Sequence, residues 1–203
     1  MFRKIFTLLF VLLMVVLFSS NVTQAQTTKK NPVYPAFSIT PLFGVQFPLG
    51  DLNNIYSPSF NAGLDLNLRV NRETSFYLGA GYYNLPEKND PKTGPDASYI
   101  IIQAGPRYLF GGPQLKAMFF IEGGIGAYIF TTKDFTTTVA GTSVTIAGAS
   151  TTNFGVNGGI GVLIPLGTSM DFVVKTKMHY IFSSGDSGAA TLLAANMGLN
   201  FMF

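Results

Sequence analysis

The single histidine, His179, is where acid–base chemistry in this chain would have to begin. Ser183, Ser184 and Asp186 follow it closely, so a nucleophile, a base and an orienting acid are all present as residue types. Such a set works only when the three groups lie within hydrogen-bond reach of one another. The serines fall in a short Gly-containing loop. His179 itself falls on the polar side of an alternating stretch, whereas a lipid substrate would arrive from the apolar side. The expectation is a structural histidine and no enzyme. One His and no Cys argue against a transition-metal site, and no cofactor is expected. The absence of Cys also removes disulfides and thiol nucleophiles.

A larger constellation surrounds that histidine. Asp65, Arg69, Arg107, Glu122, Asp171, Lys175 and Lys177 all take the polar register of an alternating stretch, as His179 does. What they can do depends on the elements that carry them, and those elements are strands. Phe60, Ala62, Leu64, Leu66, Leu68 and Val70 alternate with Asn61, Gly63, Asp65, Asn67 and Arg69, eleven residues in all. That length matches the roughly 9 to 11 residues of a tilted transmembrane strand.

Seven other stretches show the same period of two. They start at Phe37, Phe76, Tyr99, Phe119, Asn153 and Met170, and the last begins near Ala190. Pro41 sits on the apolar register of the first and lacks a ladder donor, which predicts a bulge or distortion there. The connections alternate in length. Pro48 to Pro58, Pro86 to Ala97, Thr131 to Thr151 and Ser183 to Gly188 are the long set, whereas Asn71 to Thr74, Gly111 to Lys116 and Pro165 to Ser169 are tight. An even strand count with alternating short turns and long loops is the pattern of an outer-membrane barrel with both termini in the periplasm.

Polarity separates this reading from a soluble barrel. Charged residues make up only 11% of the chain, against roughly 25% in soluble domains. One face of each strand is almost wholly apolar, and pointing Lys175 or Lys177 at a bilayer midplane would cost about 2–4 kcal/mol each. Placed inward, they meet acidic partners. The inward charges then admit two readings, a water path that tunes ion selectivity or an ion-pair network that neutralises a filled interior. Aqueous channels are typical of roughly 16–18 strands, not eight. The network is therefore the expectation, with a narrow pore as the alternative. Hairpin pairing across Gly111 to Lys116 predicts Arg107 beside Glu122.

The amino terminus reads as a secretory leader. Arg3 and Lys4 precede an apolar run from Ile5 to Phe18, and Thr23-Gln24-Ala25 is a small-residue cleavage site. The run is shorter than the roughly 20 residues a spanning helix needs. The organisation expected is a cleavable signal at 1–25, a loose polar lead at 26–35 and a barrel at 36–203. Without Arg3 and Lys4 the charge falls from +3 to +1 (11 basic, 10 acidic), and no basic patch points to nucleic acid.

The closing stretch Asn196-Met197-Gly198-Leu199-Asn200-Phe201-Met202-Phe203 resembles the carboxyl-terminal assembly signal of bacterial outer-membrane barrels, carried by Asn196, Gly198, Phe201 and Phe203. Pro48-Leu49-Gly50-Asp51-Leu52-Asn53, Gly105-Pro106-Arg107-Tyr108 and Gly158-Gly159-Ile160-Gly161 add a resemblance to the outer-membrane protein β-barrel domain family, relatives of the small OmpA and OmpX type barrels. The resemblance implies an all-β, eight-stranded antiparallel up-and-down transmembrane barrel in the cell outer membrane, assembled there by the insertion machinery and surrounded by its lipid. It carries over no catalytic, cofactor or metal residue. The function expected is non-enzymatic, in envelope structure or in surface interaction through the loops. Thr131 to Thr151 stands out among these. It holds two β-prone runs, Phe135 to Val139 and Ser143 to Ile146, around Ala140-Gly141-Thr142. A hairpin there would offer edges to a surface or periplasmic partner; a solvated loop that merely completes the strands is the plainer reading.

Overall fold

The computed structural model describes residues 34–89, 94–111, 117–139, 142–182 and 189–203. The leader, the lead up to residue 33, Asp90, Pro91, the Ala140-Gly141 tip, and Ser183, Ser184 and Asp186 lie outside the described residues. In chain order the elements are β1 (Ala36–Leu49), α1 (Leu52–Ile55), β2 (Ser59–Arg69), β3 (Thr74–Leu85), β4 (Ala97–Phe110), β5 (Met118–Thr132), β6 (Phe135–Val139), β7 (Thr142–Ile146), β8 (Ser150–Pro165), β9 (Met170–Ile181) and β10 (Ala190–Met202). Eight of these strands close on themselves in the order β1-β10-β9-β8-β5-β4-β3-β2, and β6 and β7 pair separately. Every ladder is antiparallel.

Alternation makes this closure workable. A strand has no backbone hydrogen bonds of its own, so only a closed ring satisfies every N–H and C=O within an apolar slab. Successive side chains point to opposite faces. Phe37, Phe43, Phe60, Leu66, Leu78, Ile102, Ile121, Ile160 and Met178 all emerge on the outer surface. Asp65, Arg107, Glu122, Asp171, Lys175, Lys177 and His179 are all buried inside. Among the described strand residues no charged side chain takes the outward register. A soluble monomer does not expose apolar surface on this scale, since patches beyond a few hundred Å² drive association. The wall is made for lipid.

Of the bulge or distortion expected at Pro41, the structure shows the distortion and not a bulge. β1 keeps one register with β2 straight through Pro41↔Leu64, so no residue is inserted. The missing N–H shows on the other side, where the ladder to β10 skips Thr40 and Pro41 and resumes in the same register at Leu42↔Gly198. The connection after β1 also differs from a plain loop. β1 runs through Pro48 to Leu49, Gly50 turns the chain at φ +60°, and α1 follows. β5 and β8 extend to Thr132 and Ser150, which shortens the third long connection at both ends.

At the long-loop end the connections are tied together by main-chain bonds. Ser57 N donates to Pro86 O, Lys88 N to Ile55 O, and Lys133 N to Asp96 O. Tyr56 anchors this cap, buried and edge-on to Phe130. Its hydroxyl pKa is pushed above the ordinary value by burial first, then by the Asp96 and Glu87 carboxylates. Tyr83, Leu85, Ala97, Tyr99, Ile101, Tyr128, Ile181 and Leu192 join Tyr56 in an apolar cluster that fills the lumen below. A smaller cluster of Leu109, Phe120, Leu163 and Val173 lies towards the opposite, turn end.

Candidate functional site

Between the two apolar clusters lies the charged centre. Register alone brings Arg107 of β4 opposite Glu122 of β5, and Arg107 donates to Glu122 Oε2 through Nε at 2.8 Å and Nη2 at 2.6 Å. The same guanidinium reaches across to β2, to Asn67 Oδ1 at 2.9 Å and Asp65 Oδ2 at 3.2 Å. From β9, Lys175 Nζ meets Asp65 Oδ2 at 2.6 Å and Glu122 Oε1 at 3.5 Å. Lys177 Nζ meets Glu122 Oε1 at 2.8 Å. The five groups carry three positive and two negative charges, a formal surplus of +1.

Aromatic faces absorb part of that surplus. Lys177 Nζ lies 4.1 Å from the centroid of the Tyr77 ring, and Arg107 lies 4.4 Å from that of Phe120. Tyr77 in turn donates to Asn157 Oδ1 at 2.6 Å. Below, Asn67 donates to Thr40 Oγ1, Thr40 to Asn200 Oδ1, and Asn200 to Asp171 Oδ2. The connected set takes at least one side chain from each of the eight barrel strands. Such a ring can hold the wall in one register, because a slip of one residue would turn a buried charge into lipid.

Three residues grouped with this network by sequence, Asp171, Arg69 and His179, lie outside its ion pairs. Asp171 accepts from Asn200, and Arg69 donates to Arg72 O and stacks over the Tyr34 ring. Among the described residues neither makes an ion pair. His179 is fully buried with a tyrosine hydroxyl at each ring nitrogen, Tyr128 Oη 3.1 Å from Nδ1 and Tyr83 Oη 3.4 Å from Nε2. A neutral imidazole has one donor and one acceptor, so the pair of tyrosines satisfies it. The tyrosine, asparagine and threonine partners were not singled out by sequence. Their inward parity was the available signal, and only the fold decides which of them touch.

Internal space is small. One cavity beside Asp65, Lys175 and Lys177 measures ≈ 10 Å³, and one beside Arg69, Arg107 and Asp171 measures ≈ 30 Å³. Those volumes hold on the order of one or two waters each. They do not hold a substrate. Among the described residues no cluster of His, Asp and Glu could hold a metal ion.

At the seam between first and last strands, Asn196 of β10 donates to Asn61 Oδ1 of β2 over Gly44 of β1, which pairs with both. A Cβ on Gly198 would run into the carbonyl oxygen of Pro41, so this close approach of β10 to β1 needs glycine. Phe201 pairs with Ile39 of β1 and Met170 of β9, and Phe203 N donates to Phe37 O. The four residues of the closing stretch thus contribute to the seam.

Beyond the barrel stands the β6–β7 hairpin. Its pairs alternate in character: Phe135–Ile146 and Thr137–Val144 on one face, Thr136–Thr145 and Thr138–Ser143 on the other. The Thr136 and Thr145 hydroxyls bond at 2.9 Å. Val144 and Ile146 are 43% and 55% exposed.

No family model matches the sequence, and no curated protein does. Solved structures do match. Neisserial surface protein A aligns at TM-score 0.64 with 15% identity, over 82% of this chain and 97% of that one. A major outer membrane protein from Thermus thermophilus aligns at 0.58 with 14% identity, over 83% and 100%. The outer membrane protein OprG from Pseudomonas aeruginosa aligns at 0.55 with 12% identity, over 83% and 96%. At these identities the likeness is one of fold, and with the apolar wall it identifies the chain as an eight-stranded transmembrane β-barrel of the outer-membrane kind.

Proposed function

We propose that this is a non-conducting, non-enzymatic barrel of the bacterial outer membrane whose working part is the loop end, above all the β6–β7 hairpin. The observation that carries this reading is the filled lumen. Apolar side chains occupy the long-loop end, ion pairs and asparagines occupy the middle, and the polar cavities left over are water-sized. A pore needs a continuous wet path and an enzyme needs room for substrate; the described lumen supports neither. His179, the one base of note, is enclosed by Tyr83 and Tyr128 rather than open to a substrate. The hairpin is the described β structure outside the wall, and both its edges lack a strand neighbour among the described residues. With both termini and the tight turns in the periplasm, it projects outside the cell.

The test is cross-linking on intact cells followed by mass spectrometry. Wild type is compared with a chain in which residues 133–149 are replaced by a short Gly-Ser turn. Proteins captured by wild type and lost with the replacement are the expected result. An identical set of captured proteins in both strains removes the hairpin from this role.

A further inference from the structure

The turn end of the lumen carries basic and hydroxyl side chains that the charged centre does not fully engage. Register sets Arg69 of β2 opposite Ser75 of β3, and Ser75 opposite Arg107 of β4. Paired residues share a face of the sheet. Across three adjacent strands the inward side chains therefore read Arg, Ser, Arg. All three line the cavity of ≈ 30 Å³ at this end, together with Ser38 and one carboxylate, Asp171.

Each member of the row has a donor to spare. Arg107 makes four hydrogen bonds, one through Nε, one through Nη1 and two through Nη2. A guanidinium has five N–H donors, so one N–H of Nη1 remains without a partner among the described residues. Arg69 donates to Arg72 O through Nη2, while its Nε is buried and has no hydrogen-bond partner among the described residues. Ser75 is buried, and its hydroxyl reaches the carbonyl oxygen of Phe76 only at 3.4 Å. That is long for an O–H donor. Buried donors without acceptors are costly.

The charge balance points the same way. The centre has a formal surplus of +1 and Arg107 belongs to it, whereas Arg69 and Asp171 cancel one another. Asp171 is already engaged at Oδ2 by Asn200. Water would accept from the spare donors but leave the surplus in place. An anion accepts from them and neutralises it, which matters where charge is held away from solvent. Size narrows the choice further. A cavity of ≈ 30 Å³ admits a monatomic ion, as it admits one or two waters, and excludes an oxyanion such as phosphate.

We propose that the Arg69–Ser75–Arg107 row is a binding site for a single halide ion, with chloride as its physiological occupant and counter-ion of the charged centre. The site is independent of the hairpin and of any partner at the loop end.

Anomalous diffraction tests this, using crystals of the full chain folded in detergent and grown in sodium bromide. Wild type is expected to show one bromide peak in the lumen, in contact with Arg69, Ser75 and Arg107. Arg69→Gln should lose it. Asp171→Asn, which removes the one carboxylate lining the cavity, should strengthen it. In vesicles, replacing gluconate by chloride at equal ionic strength should raise the urea midpoint of wild type at least twice as much as that of Arg69→Gln, with heat-shifted gel migration verifying that each variant is folded. No lumen peak in wild type, or a peak that Arg69→Gln leaves unchanged, overturns the halide site. A site weakened by Asp171→Asn also overturns it, since that is the response of water bridging Arg69 to Asp171.

Discussion

At the residue scale, Glu122 is the keystone of the lumen. It is the shared acceptor of Arg107, Lys175 and Lys177. Removing a partner from a buried pair leaves an uncompensated charge, which costs roughly 3–5 kcal/mol. Glu122→Gln is expected to destabilise the barrel by about that much, because it leaves three cations to Asp65 alone. Lys177→Met runs the other way, since it removes the formal surplus and leaves Arg107 and Lys175 facing two carboxylates. It should cost clearly less than Glu122→Gln. Urea unfolding of both variants in vesicles, followed by tyrosine fluorescence, measures the difference, and equal losses would show that the surplus charge has no weight. The sequence already placed all of these residues on one register, and hairpin geometry placed Arg107 beside Glu122. It could not separate Asp171 and Arg69 from the ion pairs. That depends on strand stagger around the ring, which sets the height of each side chain in the lumen and leaves no trace in local periodicity.

At the element scale, the eight wall strands were legible because a membrane barrel imposes a strict period of two, and Pro41 shows how strictly. The ring tolerates a skipped ladder step but keeps its register. α1 was not legible, because a helix of four residues has no periodicity to detect. Its Asp51 N-cap makes no side-chain capping bond either. The β6–β7 hairpin was legible as two β-prone runs, but the break at 133–134 and 147–149 that sets it apart from β5 and β8 was not. Since β6 and β7 pair with no wall strand, replacing residues 135–146 with a Gly-Ser turn should shift barrel stability by no more than about 0.5 kcal/mol, the usual range for surface changes. A larger loss in the same urea titration would mean that the hairpin braces the wall.

At the scale of the whole molecule, the barrel is an inverted globule, with charge inside and apolar side chains outside. Leu66 tests the inversion. It is 44% exposed, so in a water-soluble protein Leu66→Arg would be close to neutral. Facing lipid it should be clearly unfavourable, by up to the roughly 2–4 kcal/mol of a midplane site, read from folding equilibria in vesicles. The central claim is that the interior is closed and that activity belongs to the loop end. Single-channel recording of the folded wild-type protein in a planar bilayer tests it most directly. A flat baseline across applied voltages, with insertion verified by heat-shifted gel migration of the same preparation, is the predicted result. Discrete, reproducible conductance steps that Glu122→Gln alters would contradict it and make the charged centre the lining of a pore.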